Sequence, residues 1–377
     1  MKKITLVAAL VLIVLTSFTQ TDTTEVKKLT YELSGFVNLN AIFDFNGLDN
    51  YDDFTTSQIP INPSPYEDSH RFHLTARQSR LNFSTVYQSP WGNIKGFISG
   101  DFYSGNTSIT SYFRLREAYI EYGNFLLGQT NTSFGSPDVV PTTIDFEGPN
   151  SSPVLRNPMI KYTKGIGHGY SFSLAIEMRG TDIQTFPNSG EPFLAMPCLV
   201  GNINKKGDWG AITLTGMIDR TKYYNSDSVK HFSTGYGGAI SAIINTWKQN
   251  HFSVYFVAGN GVSDFISDLS GSGYNGVPNL TTNKLHMLSS IGGFVAYTQY
   301  WNKKFSSNFI FSYIELENSQ LLKKEDFKYS SYALANLFYN PFPRFVFGVE
   351  YIYGALYVQN NDNGDANRLQ FLAQFNF

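Results

Sequence analysis

The chain alternates. In its last ten residues, "RLQFLAQFNF", Leu369, Phe371, Ala373, Phe375 and Phe377 share one parity. Arg368, Gln370, Gln374 and Asn376 take the other, and only Leu372 is out of place. Successive side chains of a strand point to opposite faces, so one face here is apolar and the other polar. The pattern recurs upstream. In "YELSGFVNLNAIFDF" the odd positions from Tyr31 to Phe45 are almost all apolar, opposed by Glu32, Ser34, Asn38, Asn40 and Asp44. Tyr170, Phe172, Leu174, Ile176 and Met178 oppose Ser171, Ser173, Glu177 and Arg179. Phe345, Phe347, Val349, Tyr351 and Tyr353 oppose Gly348 and Glu350. Runs of about ten residues suit a tilted membrane-spanning strand, whereas a soluble sandwich uses strands of ~5–6 residues. A terminus of this kind frays unless neighbours hold both of its edges. It therefore asks for a closed sheet.

The connections predict the architecture. Seven are short and turn-like, at 89–93, 122–124, 164–169, 205–209, 246–250, 301–304 and 340–344. Eight longer polar connections fall between them, at about 47–69, 104–110, 132–156, 180–191, 222–231, 259–288, 318–328 and 357–366. Fifteen links join sixteen strands. Short turns on one side and long loops on the other describe an all-β transmembrane antiparallel barrel with periplasmic turns and extracellular loops. An even count puts both termini on the periplasmic side, and only closure satisfies every backbone group in lipid. The alternation slips twice. Between Ala76 and Leu81 a bulge accounts for it. In "FRLREAYIEY", Arg114 and Arg116 share parity with Ala118 and Ile120, which places these arginines above the lipid band or under another subunit.

Composition narrows the reading. Of 377 residues, 16% are aromatic and 15% charged, with 32 Gly and no linker or repeat to divide the chain. A formal charge of −2 excludes a strongly basic nucleic-acid binder. One Cys excludes a disulfide framework or a Cys-rich metal site, and Cys198 reads as a small apolar residue. "MKK" followed by "ITLVAALVLIVLTSF" reads as a signal peptide over 1–19, with a short segment over 20–30 and the barrel over 31–377. Beyond Phe18 no apolar run reaches the ~18 residues of a spanning helix. These features together describe an exported protein of the Gram-negative outer membrane.

Several stretches resemble the DcaP-like family of trimeric porins. They are "RLREAYIEYGNFLL" leading into "GQTNTSF", "SPWGNIKGFISGDFYSG", "FVAGNGVSDFISDLSG", "GGFVAYTQYWNKKFSSNFIFSY" and "ANLFYNPFPRFVFGVEYIYG". The resemblance covers most of the mature chain in shared order. It implies a homotrimeric channel for small hydrophilic solutes, dicarboxylates or similar anions among them. Members often carry an N-terminal coiled coil, whereas here Tyr31 begins a strand almost at once, so oligomerisation would rest on the barrel walls. Resemblance to outer-membrane proteins also implies that Phe377 is a signal for the barrel-assembly machinery.

The third long loop, "TSFGSPDVVPTTIDFEGPNSSPVLR", carries four prolines before Arg156 together with Val139, Val140, Ile144 and Phe146, a composition that packs against something. In sixteen-strand porins this loop folds inward and narrows the pore. Asp138, Asp145 and Glu147 are then expected to face Arg77, Arg80, Arg114, Arg116 and Lys95 on the opposite wall. Opposed charges across a pore orient polar solutes, so selectivity would reside there. Other signals are bland. The six His show no ligand spacing, and "NNDNGDANR" lacks the closing Glu of a calcium loop, so no metal and no cofactor is expected. Two further classes stand beside the channel. A barrel enzyme of phospholipase type needs a Ser, a His and an orienting group together on the lipid-facing wall. An autotransporter needs a passenger domain, which the chain does not show.

Overall fold

The computed structural model describes residues 29–377 apart from 47, 49, 63–69, 108–109, 154, 187–189 and 225–228. The signal peptide and nearly all of segment 20–30 lie outside these residues. The strands are β1 Leu29–Asp44, β2 Arg71–Thr75, β3 Arg80–Ser89, β4 Gly92–Thr107, β5 Thr110–Tyr122, β6 Phe125–Asn131, β7 Arg156–Gly167, β8 Tyr170–Glu177, β9 Glu191–Gly207 and β10 Gly210–Tyr224. They continue with β11 Lys230–Asn245, β12 His251–Asn260, β13 Gly276–Asn279, β14 Lys284–Met287, β15 Ser289–Tyr300, β16 Phe305–Leu316, β17 Phe327–Tyr339, β18 Phe345–Val358 and β19 Asn363–Asn376. β2 and β3 are two halves of one strand, both paired to β1, and β13 and β14 form a separate hairpin inside a loop. The rest is a closed antiparallel barrel of sixteen strands.

Closure falls where the terminal alternation requires it. β19 pairs antiparallel with β1 from Phe36–Asn376 to Asp44–Arg368. Beyond that ladder, the Phe377 N–H donates to the Gly35 carbonyl at 3.0 Å and the Gly35 N–H donates back at 3.3 Å. Side chains sort as written. Leu33, Val37 and Leu39 are exposed outward, while Asn38, Asn40 and Asp44 are buried inside. All seven short turns lie where the sequence puts them. The four tryptophans, Trp91, Trp209, Trp247 and Trp301, are exposed at that end, as in an interfacial aromatic girdle.

The loop side differs from expectation. Two of the eight expected long loops are mostly strand, and a third is strand at both of its ends. β4 runs to Thr107 and β5 starts at Thr110, β10 runs to Tyr224 and β11 starts at Lys230, and β18 and β19 are joined by residues 359–362 alone. Polar residues there continue the ladders above the lipid band, where water tolerates them. Both parity slips are breaks in register. The first is the interruption between β2 and β3. At the second, Ser99 pairs with Glu117 but Gly100 pairs with Leu115, leaving Arg116 as the extra residue. The bulge flips the face, so Ile120 points to lipid while Arg114 and Arg116 point inward. Neither height above the lipid nor a covering subunit is needed.

The seam carries a buried ion pair. The Arg368 Nε lies 2.6 Å from Asp44 Oδ1 and its second nitrogen 3.1 Å from Oδ2, with neither side chain more than 2% exposed. Removing one partner of such a pair strands the other charge, at a cost of ~3–5 kcal/mol. Arg368→Met should therefore lower the temperature at which the compact barrel band unfolds on a semi-native gel, and adding Asp44→Asn should recover part of the loss. Equal temperatures for the single variant and the parent would show that the pair does not hold the seam.

Candidate functional site: the loop-filled lumen

Three loops enter the barrel. Loop 1 (residues 45–70) leaves β1 beside the seam, where the Arg368 guanidinium donates to the Asn50 carbonyl at 2.8 Å and sits over the Phe54 ring. Arg71 donates to the Leu48 carbonyl at 2.6 Å. Loop 3 (132–155) crosses the lumen to the far wall. Glu350 of β18 accepts the Ile144 and Asp145 N–H groups at 2.8 and 2.7 Å. Asn308 and Asn336 both donate to the Thr142 carbonyl. Loop 6 (261–288) brings two short 3-10 turns, Ser263–Phe265 and Ser267–Leu269. Phe54, Ile59, Phe134, Val139, Phe265, Ile266 and Leu269 of these loops form one core with inward-facing Tyr255, Ile314, Tyr332 and Ile352. Burying such apolar surface drives the loops inward. Leu372, the residue that broke the terminal alternation, faces in and packs on Ile144 of loop 3 with Phe338 and Val346.

The expected opposition of loop acids and wall arginines takes a different form. Asp145 is buried and accepts from the Phe54 N–H at 3.0 Å and the Tyr332 hydroxyl at 3.2 Å. Glu147 accepts from Thr55 and Ser267 at 2.9 and 2.8 Å. Both acids thus turn toward loops 1 and 6, away from the arginines, because the polar edges of those loops supply their donors. Asp138 is exposed to the lumen, where its charge acts on Lys161 of β7. Arg77 bonds Asp52 of loop 1 and donates to the Gly105 carbonyl at 2.7 Å. Lys95 lies far down β4, 3.3 Å from Glu121, and takes no part.

Arg80, Arg114 and Arg116 do come together, around an acid that the reading of the chain passed over. Asp101 of β4 is fully buried, bound in a fork by Arg114 at 3.0 and 2.9 Å and by Arg116 at 2.7 Å. Arg80 stands opposite Asp101 in the β3–β4 register. Arg156, at the head of β7, lies within electrostatic reach of Arg80, Arg114, Arg116 and Glu117. Loop 3 presents Phe146 to this wall. Its ring is stacked on Tyr103 at 4.2 Å, with the Arg114 and Arg116 guanidinia 5.6 and 5.3 Å from its centre. Asp101 could have been inferred once the bulge at Arg116 was recognised, since it then shares a face with Arg114. Glu350 and the inward course of loops 1 and 6 carried a weaker signal, the apolar residues within those loops.

Below loop 3, toward the short turns, open spaces flank Asp138. One, of about 330 Å³, is lined by Thr130, Ser133, Lys161, Ser173 and Asn202, and another, of about 450 Å³, by Thr142, His251, Asn308 and Gln374. Among the described residues no group of three or more His, Cys, Asp or Glu is arranged to hold a metal ion.

The junction of loops 1, 3 and 6 concentrates negative charge. Burial, with the Asp53 charge nearby, pushes the Asp145 carboxyl up to about 7. Burial and the Asp268 charge push Glu147 well above the carboxylate range. Burial likewise carries Asp268 to about 7. Asp268 Oδ2 accepts from Thr56 and from the Ser57 N–H, while Oδ1 is buried without a partner. Each group holds its proton more tightly in the folded protein than in the unfolded chain, where carboxyls titrate near ~4. Ionisation therefore weakens the junction as pH rises from about 4 through about 7. Asp268→Asn should stabilise the barrel at pH 8, by on the order of 1 kcal/mol, and leave it unchanged at pH 4. Thermal unfolding at the two pH values checks this, and an equal effect at both would contradict it.

The DcaP outer membrane protein family matches residues 13–377. No curated protein sequence matches the chain. The crystal structure of the outer membrane channel DcaP of Acinetobacter baumannii is 19% identical, superposes with a TM-score of 0.81, and covers 95% of this chain and 100% of its own. An anion-selective porin from Comamonas acidovorans is 11% identical with a TM-score of 0.62, covering 93% and 100%. The trimer form of OmpT from Vibrio cholerae is 11% identical with a TM-score of 0.55, covering 93% and 99%. With its sixteen-strand barrel, its inward third loop and a match over nearly its whole length, the chain belongs to the DcaP family of outer-membrane channels.

Proposed function

We propose that the protein is a passive diffusion channel selective for small anionic solutes, with dicarboxylates as one fitting class. The observation that carries this reading is the inner wall of Arg80, Arg114 and Arg116 around Asp101, faced by Phe146 while Asp145 and Glu147 of loop 3 turn away. Arginine keeps its charge at every physiological pH and offers a planar fork suited to carboxylates. Asp145 and Glu147, held toward their neutral forms by burial, offset that charge only weakly near neutrality. The name of the Comamonas porin records anion selectivity in a barrel of the same architecture. Assembly as a homotrimer is the matching proposal for the oligomer, supported by the OmpT trimer form and the family resemblance. The span 31–377 serves as the porin domain and Phe377, at the end of the closing strand, as the signal to the assembly machinery. The enzyme reading would need a Ser hydroxyl on a His ring, whereas among the described residues the His side chains with polar contacts meet Asp52, Glu317 and a backbone carbonyl.

Arg80→Gln with Arg114→Gln tests the selectivity while leaving Arg116 to hold Asp101. Reversal potentials across planar bilayers in a salt gradient should shift toward cations. The shift should be larger at ~0.01 M than at ~1 M salt, where screening shortens from ~30 Å to ~3 Å. An unchanged reversal potential at low salt would place these arginines outside the conducting path.

A further inference from the structure

The outer wall of β8–β12 carries a feature that conduction does not use. Gly201, Gly216 and Gly238 pair in one register row across β9, β10 and β11, and Ala258 of β12 continues it. A Cβ added at Gly216 would meet nothing within 4 Å. The row is the floor of an apolar groove of about 850 Å³, walled by Leu174, Leu199, Ile218 and Tyr236 on the lipid-facing side.

Above the groove on the same outward face stand three cations. Arg220 lies four residues beyond Gly216, roughly 13 Å along the strand. Its guanidinium sits 4.2 Å from the centre of the Phe232 ring. Lys222 Nζ lies 5.4 Å from the Phe193 ring and 5.2 Å from Tyr224, and Lys230 Nζ lies 5.1 Å from Phe232. Among the described residues none of the three makes an ion pair. Among the described residues the carboxylate beside them in register is Glu191, opposite Tyr224 in the β9–β10 ladder and two residues from Phe193. Ten residues separate Arg220 from the short turn at Gly210. At ~3.3 Å per residue and a tilt of ~40° that is a height of about 25 Å, the thickness of the apolar band itself. Arg220 therefore marks the outer edge of the hydrocarbon, with Lys222 and Lys230 in the headgroup layer.

We propose that this face is a binding site for a phosphorylated, acylated glycolipid of the outer leaflet. Arg220, Lys222 and Lys230 hold the phosphate, and the glycine row seats an acyl chain. Charge complementarity selects this occupant over a second barrel, because a packed subunit would bury three like charges without partners. Guanidinium and ammonium groups are the usual phosphate ligands, and the aromatic rings beneath them fix their position at the interface.

Native mass spectrometry of the detergent-solubilised barrel with bisphosphorylated hexa-acyl lipid A tests the site. The parent should retain the lipid. The triple variant R220Q/K222Q/K230Q, and separately Gly216→Leu, should each retain at least fivefold less, with heat-modifiable folding and conductance unchanged. Inorganic phosphate at the same concentration should not displace the lipid. Unchanged retention in either variant would overturn the proposal, as would displacement by phosphate alone. So would variants that dissociate the oligomer while still retaining lipid, since the face would then be a subunit contact.

Discussion

Inside a bilayer no backbone N–H or C=O may go unpaired, and the rest of this molecule follows from the place where that demand is hardest to meet. The two ends of the chain must find each other across the full circumference. β19 meets β1 in a continuous ladder, and Asp44 and Arg368 face each other inside it as a buried, two-point ion pair. Arg368 does more than close the seam. It reaches the Asn50 carbonyl and lies over Phe54, so the segment leaving β1 is directed into the lumen. Phe54 then donates its N–H to Asp145 of loop 3.

The packed loops reverse the usual polarity of a barrel interior. Toward the short turns the inner wall is polar and open. Toward the long loops it presents Tyr255, Ile314, Tyr332 and Ile352 to an apolar core built from loops 1, 3 and 6. Loop 3 is clamped from the far wall by Glu350, Asn308 and Asn336, so its position is set by hydrogen bonds and apolar contacts together. This placement separates charge across the lumen. Buried carboxyls gather where the loops meet, and arginines gather on β3 and β5, with Phe146 and Tyr103 stacked between them.

Most of the barrel was legible in the sequence because period-two alternation and turn chemistry are local signals. The seven turns, the interruption after Ala76 and the closing strand could all be read there. Three expected loops gave way to strand at their ends because polarity marks exposure to water, which a ladder rising above the membrane shares with a loop. Arg114 and Arg116 looked misplaced until a one-residue bulge, invisible without the partner strand, turned them inward. Leu372 looked like noise and is instead a contact for loop 3. The partners of the loop acids were out of reach for the same reason. Whether Asp145 meets an arginine or a backbone N–H of loop 1 depends on contacts between segments some ninety residues apart, which no local pattern encodes.

Loop 3 lies across the lumen against the β18–β19 wall, and a cross-link tests that position directly. With Cys198 replaced by Ala, Ile144→Cys and Leu372→Cys place two thiols within one buried contact cluster. A short bifunctional thiol reagent should join them in the folded barrel, and the joined protein should keep the parent's single-channel conductance and reversal potential. Failure to cross-link in the folded barrel, or a cross-linked barrel with altered current, would contradict the inward course of loop 3.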